Sequence, residues 1–172
     1  MIGKHKVFLL LGSNMSVRMH YLSFAKEQIA NRIGAVITLS SIWESEPWGF
    51  DAEMSFLNQV LVVETDLDPV PVLKIIQEIE NLAGRKRNPE AGYISRTLDI
   101  DILFFDEEVF QSPKLTIPHP QIPNRRFTLL PLVEIDADFQ HPQLKQSMSQ
   151  LLNSCADTGN VELIKNQMCY EI

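Results

Sequence analysis

"SRTLDIDILFF", residues 95–105, is the stretch on which the fold turns. Leu98, Ile100, Ile102 and Phe104 fall at a period of two, which is the repeat of a β-strand with one face on a core. The other face then carries Thr97, Asp99, Asp101, Leu103 and Phe105. Asp is disfavoured in strands, yet two of them stand side by side here. Their Cα atoms are roughly 6.5–7 Å apart, so the carboxylates repel unless a cation lies between them. Mg²⁺ suits that place, because it takes oxygen ligands, keeps several waters and is usually held by one or two carboxylates plus substrate phosphates. A bare D-x-D is more often two incidental acids facing solvent. Leu103 and Phe105, expected to bury the same face just downstream, set these acids at the rim of a core and favour the metal.

Working outward, KVFLLLG (6–12) reads as a strand, SNMS (13–16) as a turn, and residues 18–33 as a helix. Residues 35–46 and 56–65 are rich in β-branched and aromatic residues and read as two strands joined by the exposed loop PWGFDAEMS. DPVPVLKIIQEIENLAG (68–84) has Asp68 as N-cap, Pro69 at the first helical position and Gly84 as the stop. Val72, Leu73, Ile76, Ile79 and Leu82 then share one helical face. With the polar loop RKRNPEAGYIS (85–95) leading back to the opening strand, the order is βαββαβ. That predicts an α+β fold of ferredoxin-like type, with helices on one face of an antiparallel sheet. Beyond it, 106–108 read as a turn into a short strand, and KLTIPHPQIP (114–123) as extended. NRRFTLLPLVEI (124–135) reads as a helix interrupted at Pro131. The reading is a single domain over 1–172, with its core in 6–136 and a peripheral C-terminal segment over 137–172.

The net charge of -7 argues against a nucleic-acid binder, whose affinity rests on Lys and Arg neutralising phosphates. With no leader pattern and no apolar run of bilayer-spanning length, the expectation is a soluble cytoplasmic protein with no membrane partner. Cys155 and Cys169 read as free thiols. Against this acidic background, Arg85, Lys86, Arg87, Arg96, Lys114, Arg125 and Arg126 bracket the aspartates. Such a cluster suits a triphosphate clamp opposite a metal, and a solvated basic surface accounts for each residue taken alone. His119, in IPHP, is placed either to donate to a phosphate or to protonate a leaving oxygen near neutral pH, or is a structural loop histidine. Trp43, Trp48, Phe50, Phe56, Tyr93 and Phe127, with the Asn58 amide, suit a flat hydrogen-bonding heterocycle, although core packing is the commoner use of such rings. "LLLGSN" lacks the Gly-Lys-Ser/Thr of a P-loop and the third Gly of a dinucleotide fingerprint, so any nucleotide is held by another scaffold.

Together "RTLDIDILFF", "LTIPHP", "NRRFTLLPL", "LLLGSN" and "FLNQV" resemble the 6-hydroxymethyl-7,8-dihydropterin pyrophosphokinase family over about residues 6–136. The resemblance implies a monomer that transfers diphosphate from ATP to the hydroxymethyl group of the pterin and releases AMP, in tetrahydrofolate biosynthesis. It implies one or two Mg²⁺ ions on Asp99 and Asp101, with Arg85, Arg96 and His119 beside them in catalysis. Gln77, Glu80, Arg87, Ile102, Lys114, Leu115, Thr116 and Arg125 fall where the family binds ATP. Ser45, Glu46, Trp48, Phe56, Asn58 and Phe127 fall where it holds the pterin, with Tyr93 among the candidate aromatics and Phe56 and Phe127 expected to sandwich the ring. Asp99 is the implied aid to deprotonation. The chain departs from relatives in NPEAGYIS, where Gly92 precedes Tyr93 and a second arginine is lacking, leaving Lys86 or Arg126 to compensate; the loop 85–96 is expected to close over ATP. Two other readings are a different magnesium-dependent nucleotidyl or phosphoryl transferase, and a non-catalytic ferredoxin-like ligand-binding domain.

Overall fold

The strand His5–Ser13 (β1) is buried at every residue from Val7 to Ser13, as only a strand covered on both faces can be. The computed structural model in which this is seen describes residues 4–85, 90, 92 and 95–165. β1 is central. It pairs antiparallel with Phe56–Thr65 (β4) on one side and with Asp99–Phe105 (β5) on the other. Beyond β4 lie two short strands, Ala35–Leu39 (β2) and Trp43–Ser45 (β3), and Val161–Leu163 (β8) adds to β3. The sheet is mixed with helices and antiparallel throughout, in the order β5-β1-β4-β3-β8, with β2 also on β4.

The single strand expected over 35–46 is thus two. Its ladder is interrupted where Ser40 turns its side chain to the backbone, accepting from Val60 N at 2.9 Å, while Gln59 Nε2 donates to Ser40 O at 2.8 Å. Glu134 then holds the gap, accepting from Ser41 N at 2.8 Å and from Trp43 Nε1 at 2.9 Å. β5 also departs from simple alternation. Phe8 pairs with Phe104 but Leu9 with Ile102, so a β-bulge at Leu103 re-phases the strand. Leu103 and Phe104 therefore both join the core on the aspartates' face, and Phe105 crosses to the other.

Helices Arg18–Arg32 (α1) and Pro69–Leu82 (α2) cover one face, burying Leu22, Ile29, Val72, Ile76 and Ile79 against Val7, Leu9 and Leu11. Each such aliphatic side chain contributes roughly 1.5–3 kcal/mol. Pro69 does open α2, but Asp68 makes no side-chain cap bond. Leu82 is solvent-exposed, and Glu80 is buried in its stead. Gly84 ends the helix at φ +81°, a conformation that costs glycine nothing. Asp106, at φ +49°, makes the turn after β5, and Phe110–Gln111 (β6) pairs with Thr116–Ile117 (β7). A short 3-10 turn over Ile122–Asn124 follows.

Arg126–Asp136 (α3) runs through Pro131 without the expected interruption. The proline removes only the bond to the Phe127 carbonyl, and its ring is buried. α3 and Met148–Ser154 (α4) cover the second face, where Leu129, Leu132, Met148 and Leu151 meet Phe8, Leu10, Val60, Val62 and Phe104. Helices therefore flank both faces, and the described part of 137–172 is not peripheral: it supplies half of one layer and a strand. Among the described residues no helix is long and apolar enough to cross a membrane.

Candidate active site

The register of the central strands decides what meets at one end of the sheet. Gly12 on β1 lies between Asn58 of β4 and Asp99 of β5, and Leu10 lies opposite Asp101. Ser45 ends β3 opposite Phe56, and Arg125 and Phe127 stand at the start of α3. These elements line one cleft.

Asp99 has both carboxylate oxygens occupied. Arg85 Nη1 donates to Oδ1 at 2.6 Å and Arg96 Nη1 to Oδ2 at 2.5 Å. Glu80, 1% exposed, accepts from the same Arg85 nitrogen at 2.5 Å and from Ile100 N at 2.9 Å, so it fixes the arginine from behind. Burial opposes the Arg85 charge, but Asp99 and Glu80 outweigh it and its pKa is raised. Asp101 is placed differently. The nearest described basic nitrogens, Nε2 of His119 and Nη1 of Arg125, are both 3.9 Å from Oδ2, beyond hydrogen-bonding range. Burial first, and the neighbouring Asp99 second, push its carboxyl up to about 7. His119 moves the opposite way, down to about 4, through burial and the nearby Arg125 charge. It is neutral at physiological pH. Its Nδ1 accepts from Gln121 N at 3.1 Å, which leaves the proton on Nε2, facing Asp101. A histidine in that state donates a hydrogen bond, which favours the first of the two roles the sequence suggested, contact with a phosphate oxygen.

The cleft's other wall is aromatic. The Arg125 guanidinium lies 4.7 Å from the Trp48 ring centroid and 5.6 Å from that of Phe127. Phe50 meets Phe56 edge-on at 6.1 Å. Asn58, 2% exposed, spends its amide N–H on Ser45 Oγ at 2.8 Å and Trp43 O at 3.2 Å. Gly12, with no side chain, leaves the floor open beside Asn58 Oδ1. A second, more open hollow adjoins Asp101, lined by Leu73, Ile102, Lys114, Leu115, Thr116 and His119. Asp101 lines both.

Asn14, which the sequence reading passed over, joins the loops that flank these chambers. Its Oδ1 accepts from Arg96 N at 2.7 Å, and its Nδ2 donates to Ser95 Oγ at 3.1 Å and Met54 O at 3.4 Å. Its own N–H donates to Arg96 O at 3.1 Å. Only its place after the "LLLGS" strand, a polar residue where a buried run ends, hinted at it.

Comparison with known proteins gives the family. The family model for 7,8-dihydro-6-hydroxymethylpterin-pyrophosphokinase matches residues 8–137. The chain belongs to that family. It is 42% identical over 139 residues to a 2-amino-4-hydroxy-6-hydroxymethyldihydropteridine pyrophosphokinase of Porphyromonas gingivalis, covering 80% of this chain and 94% of the relative. It is 36% identical to the enzyme of the same name from Haemophilus influenzae, covering 91% and 96%. Among solved structures, a Plasmodium falciparum HPPK-DHPS matches with TM-score 0.74 at 18% identity over 89% of this chain, which shows the fold alone. The chain spans 46% of that structure's length.

For a pyrophosphokinase of this family, the sequence-expected residues fall into three groups. Asp99, Asp101, Arg96, Arg125, Ser45, Glu46, Trp48, Phe56, Asn58 and Phe127 share the first cleft, and Ile102, Lys114, Leu115, Thr116 and His119 the second. Gln77, Glu80 and Arg85 line neither; Glu80 and Arg85 act from below, and Gln77 is half-buried on α2. Arg126 lines an outer groove with Asp157 and Asn160 rather than the cleft. Lys86, Arg87 and Tyr93, with most of the expected 85–96 lid, and Cys169 lie outside the described residues.

Proposed function

We propose that this chain transfers diphosphate from ATP to the hydroxymethyl group of 6-hydroxymethyl-7,8-dihydropterin, releasing AMP, as a step of tetrahydrofolate biosynthesis. One observation carries the reading: the aromatic, amide-bearing chamber and the Lys114 to His119 chamber meet at one carboxylate, Asp101. A heterocycle in the first and a nucleotide in the second bring their reacting ends together there. Asn58 Oδ1 accepts from the pterin's amine, and Phe56 and Phe127 enclose the ring. Lys114 and His119 meet phosphate oxygens from the nucleotide side, and Arg85, Arg96 and Arg125 offset the charge spread over the transferring group.

The donor set fits Mg²⁺. Two carboxylates share one strand face, and Asp101 lacks a hydrogen-bonding cation among the described residues while burial and Asp99 disfavour its charge. Asp99 and Asp101 would hold one or two ions, which neutralise charge on the phosphates and orient them. Asp99, with both oxygens on guanidinium groups, must release one before it assists deprotonation. The element order and the β5-β1-β4 sequence of strands support a ferredoxin-like plait, extended by α3, α4 and β8 into one domain. The acidic charge supports the absence of a nucleic-acid partner, and the reading is completed by a cytoplasmic monomer with no membrane partner.

Incubation with Mg²⁺, ATP and the pterin, read by mass spectrometry, is expected to give AMP and diphosphorylated pterin. ADP as the product, or ATP consumption indifferent to the pterin, overturns the reading in favour of another phosphoryl or nucleotidyl transferase.

A further inference from the structure

We propose that Asp157, in the C-terminal segment, is a positioning residue for the heterocycle chamber, holding two of its walls in register; the inference rests on the pterin reading above. α3 begins at Arg126, between Arg125, stacked on Trp48, and Phe127, which lines the cleft. The first N–H groups of a helix lack intrahelical acceptors, and Arg125 at the N-cap supplies no side-chain bond. Asp157 supplies it from 31 residues away: Arg126 N donates to Asp157 Oδ2 at 3.0 Å. A carboxylate there also complements the helix dipole.

The second carboxylate oxygen does separate work. Gly159 N donates to Asp157 Oδ1 at 3.0 Å, closing a tight turn in which a Cβ on Gly159 would approach that oxygen to 3.1 Å. The turn delivers Asn160 O to Glu46 N at 3.3 Å and Val161 to its pairing with Ser45 on β3. Ser45, Glu46 and Trp48 form one wall of the chamber and Phe127 another. A small cavity behind these walls is lined by Glu46, Trp48, Phe127, Asp157 and Asn160, so the turn backs directly on the chamber. Asp157 does not line the cleft and acts through the backbone of α3 and β3. Its contacts lie off the Lys114 to His119 chamber, and of the residues set against ATP only Arg125 adjoins them, so its loss bears chiefly on the pterin.

The test compares wild type, Asp157→Ala and Asp157→Asn for the KM of each substrate, for pterin Kd by tryptophan quenching without turnover, and for Tm. Loss of a charge-assisted bond predicts a roughly tenfold rise in pterin KM and Kd for Asp157→Ala, with ATP KM within about twofold of wild type. Asp157→Asn keeps an acceptor for Arg126 N and is expected to recover part of the loss, and it serves alone where the alanine variant does not fold. Variants that lose Tm but bind pterin as wild type does, or that lose pterin and ATP affinity equally, reduce Asp157 to a structural cap and overturn the proposal. A wild-type chain that makes no AMP overturns the pterin reading instead.

Discussion

A carboxylate beside another carboxylate in a protein crevice lowers its energy in one of two ways, by binding a proton or by binding a cation. With no cation bound, Asp101 is expected to take the first course, its carboxyl pushed up to about 7 by burial and by Asp99. The sign follows. The folded form holds the proton more tightly than the unfolded chain, so the group's contribution to stability is complete below about pH 4 and is lost as pH rises through about 7. Asp101→Asn copies the protonated shape without the charge. In metal-free buffer it is therefore expected to be more stable than wild type at pH 8, by on the order of 1–2 kcal/mol with water still reaching the group, and equal to it at pH 4. Denaturant melts at the two pH values decide this; equal stability at pH 8 removes the strained-acid account. The same variant is expected to lose turnover by several orders of magnitude. Alternation in DIDIL made Asp99 and Asp101 legible as a pair, but not their division of labour. That depends on Glu80 of α2 and Arg85 just beyond the helix, which the pattern of the strand does not encode.

Elements were legible where periodicity is local and illegible where a tertiary bond interrupts it. The α2 register held through Val72, Ile76 and Ile79 and continues to the buried Ala83, whereas Leu82 falls to one side of that stripe and is exposed. The bulge at Leu103 and the gap at 40–42 follow from bonds to distant strands and to Glu134, so no window of sequence contains them. Asn14 is the functional counterpart, one side chain tying the loop before β4 to the loop before β5. Arg96 takes its backbone bond from Asn14 and gives its guanidinium to Asp99, so the loop connection is also the arginine's mooring. Asn14→Ala leaves Arg96 N unsatisfied and is expected to cost about 1–3 kcal/mol of stability. It is also expected to lower kcat/KM by roughly tenfold or more through misplacement of that arginine. Asn14→Asp keeps the acceptor and is expected to fall between. Kinetics and urea melts on both variants test this, and a stability loss without any loss of kcat/KM sinks the mooring role.

At the scale of the whole molecule, the misleading step was to give the sheet one covered face. KVFLLLG is an unbroken apolar run, not an alternation, and such a run reports burial on both sides. The missing layer had to come from residues beyond the βαββαβ unit, and it comes from α3 and from the segment expected to be peripheral. α4 is only seven residues long and too short to hold itself together, so its order comes from docking Met148 and Leu151 on Phe8, Leu10 and Phe104. That short length is also why no periodic signal announced it. If the layer is part of the core, its removal is felt throughout the domain. Leu151→Ala is expected to lower unfolding free energy by about 2–4 kcal/mol, as for any buried leucine with partial collapse of the cavity. Truncation after residue 138 bares Phe8, Val62, Phe104 and Leu132 together, and is expected to abolish a single cooperative urea transition and to raise binding of a hydrophobic dye. A truncated chain that melts in one transition within about 1 kcal/mol of wild type returns the segment to the periphery. Because truncation also removes Asp157, only the Leu151 variant separates core packing from pterin affinity, and it is expected to leave pterin KM unchanged.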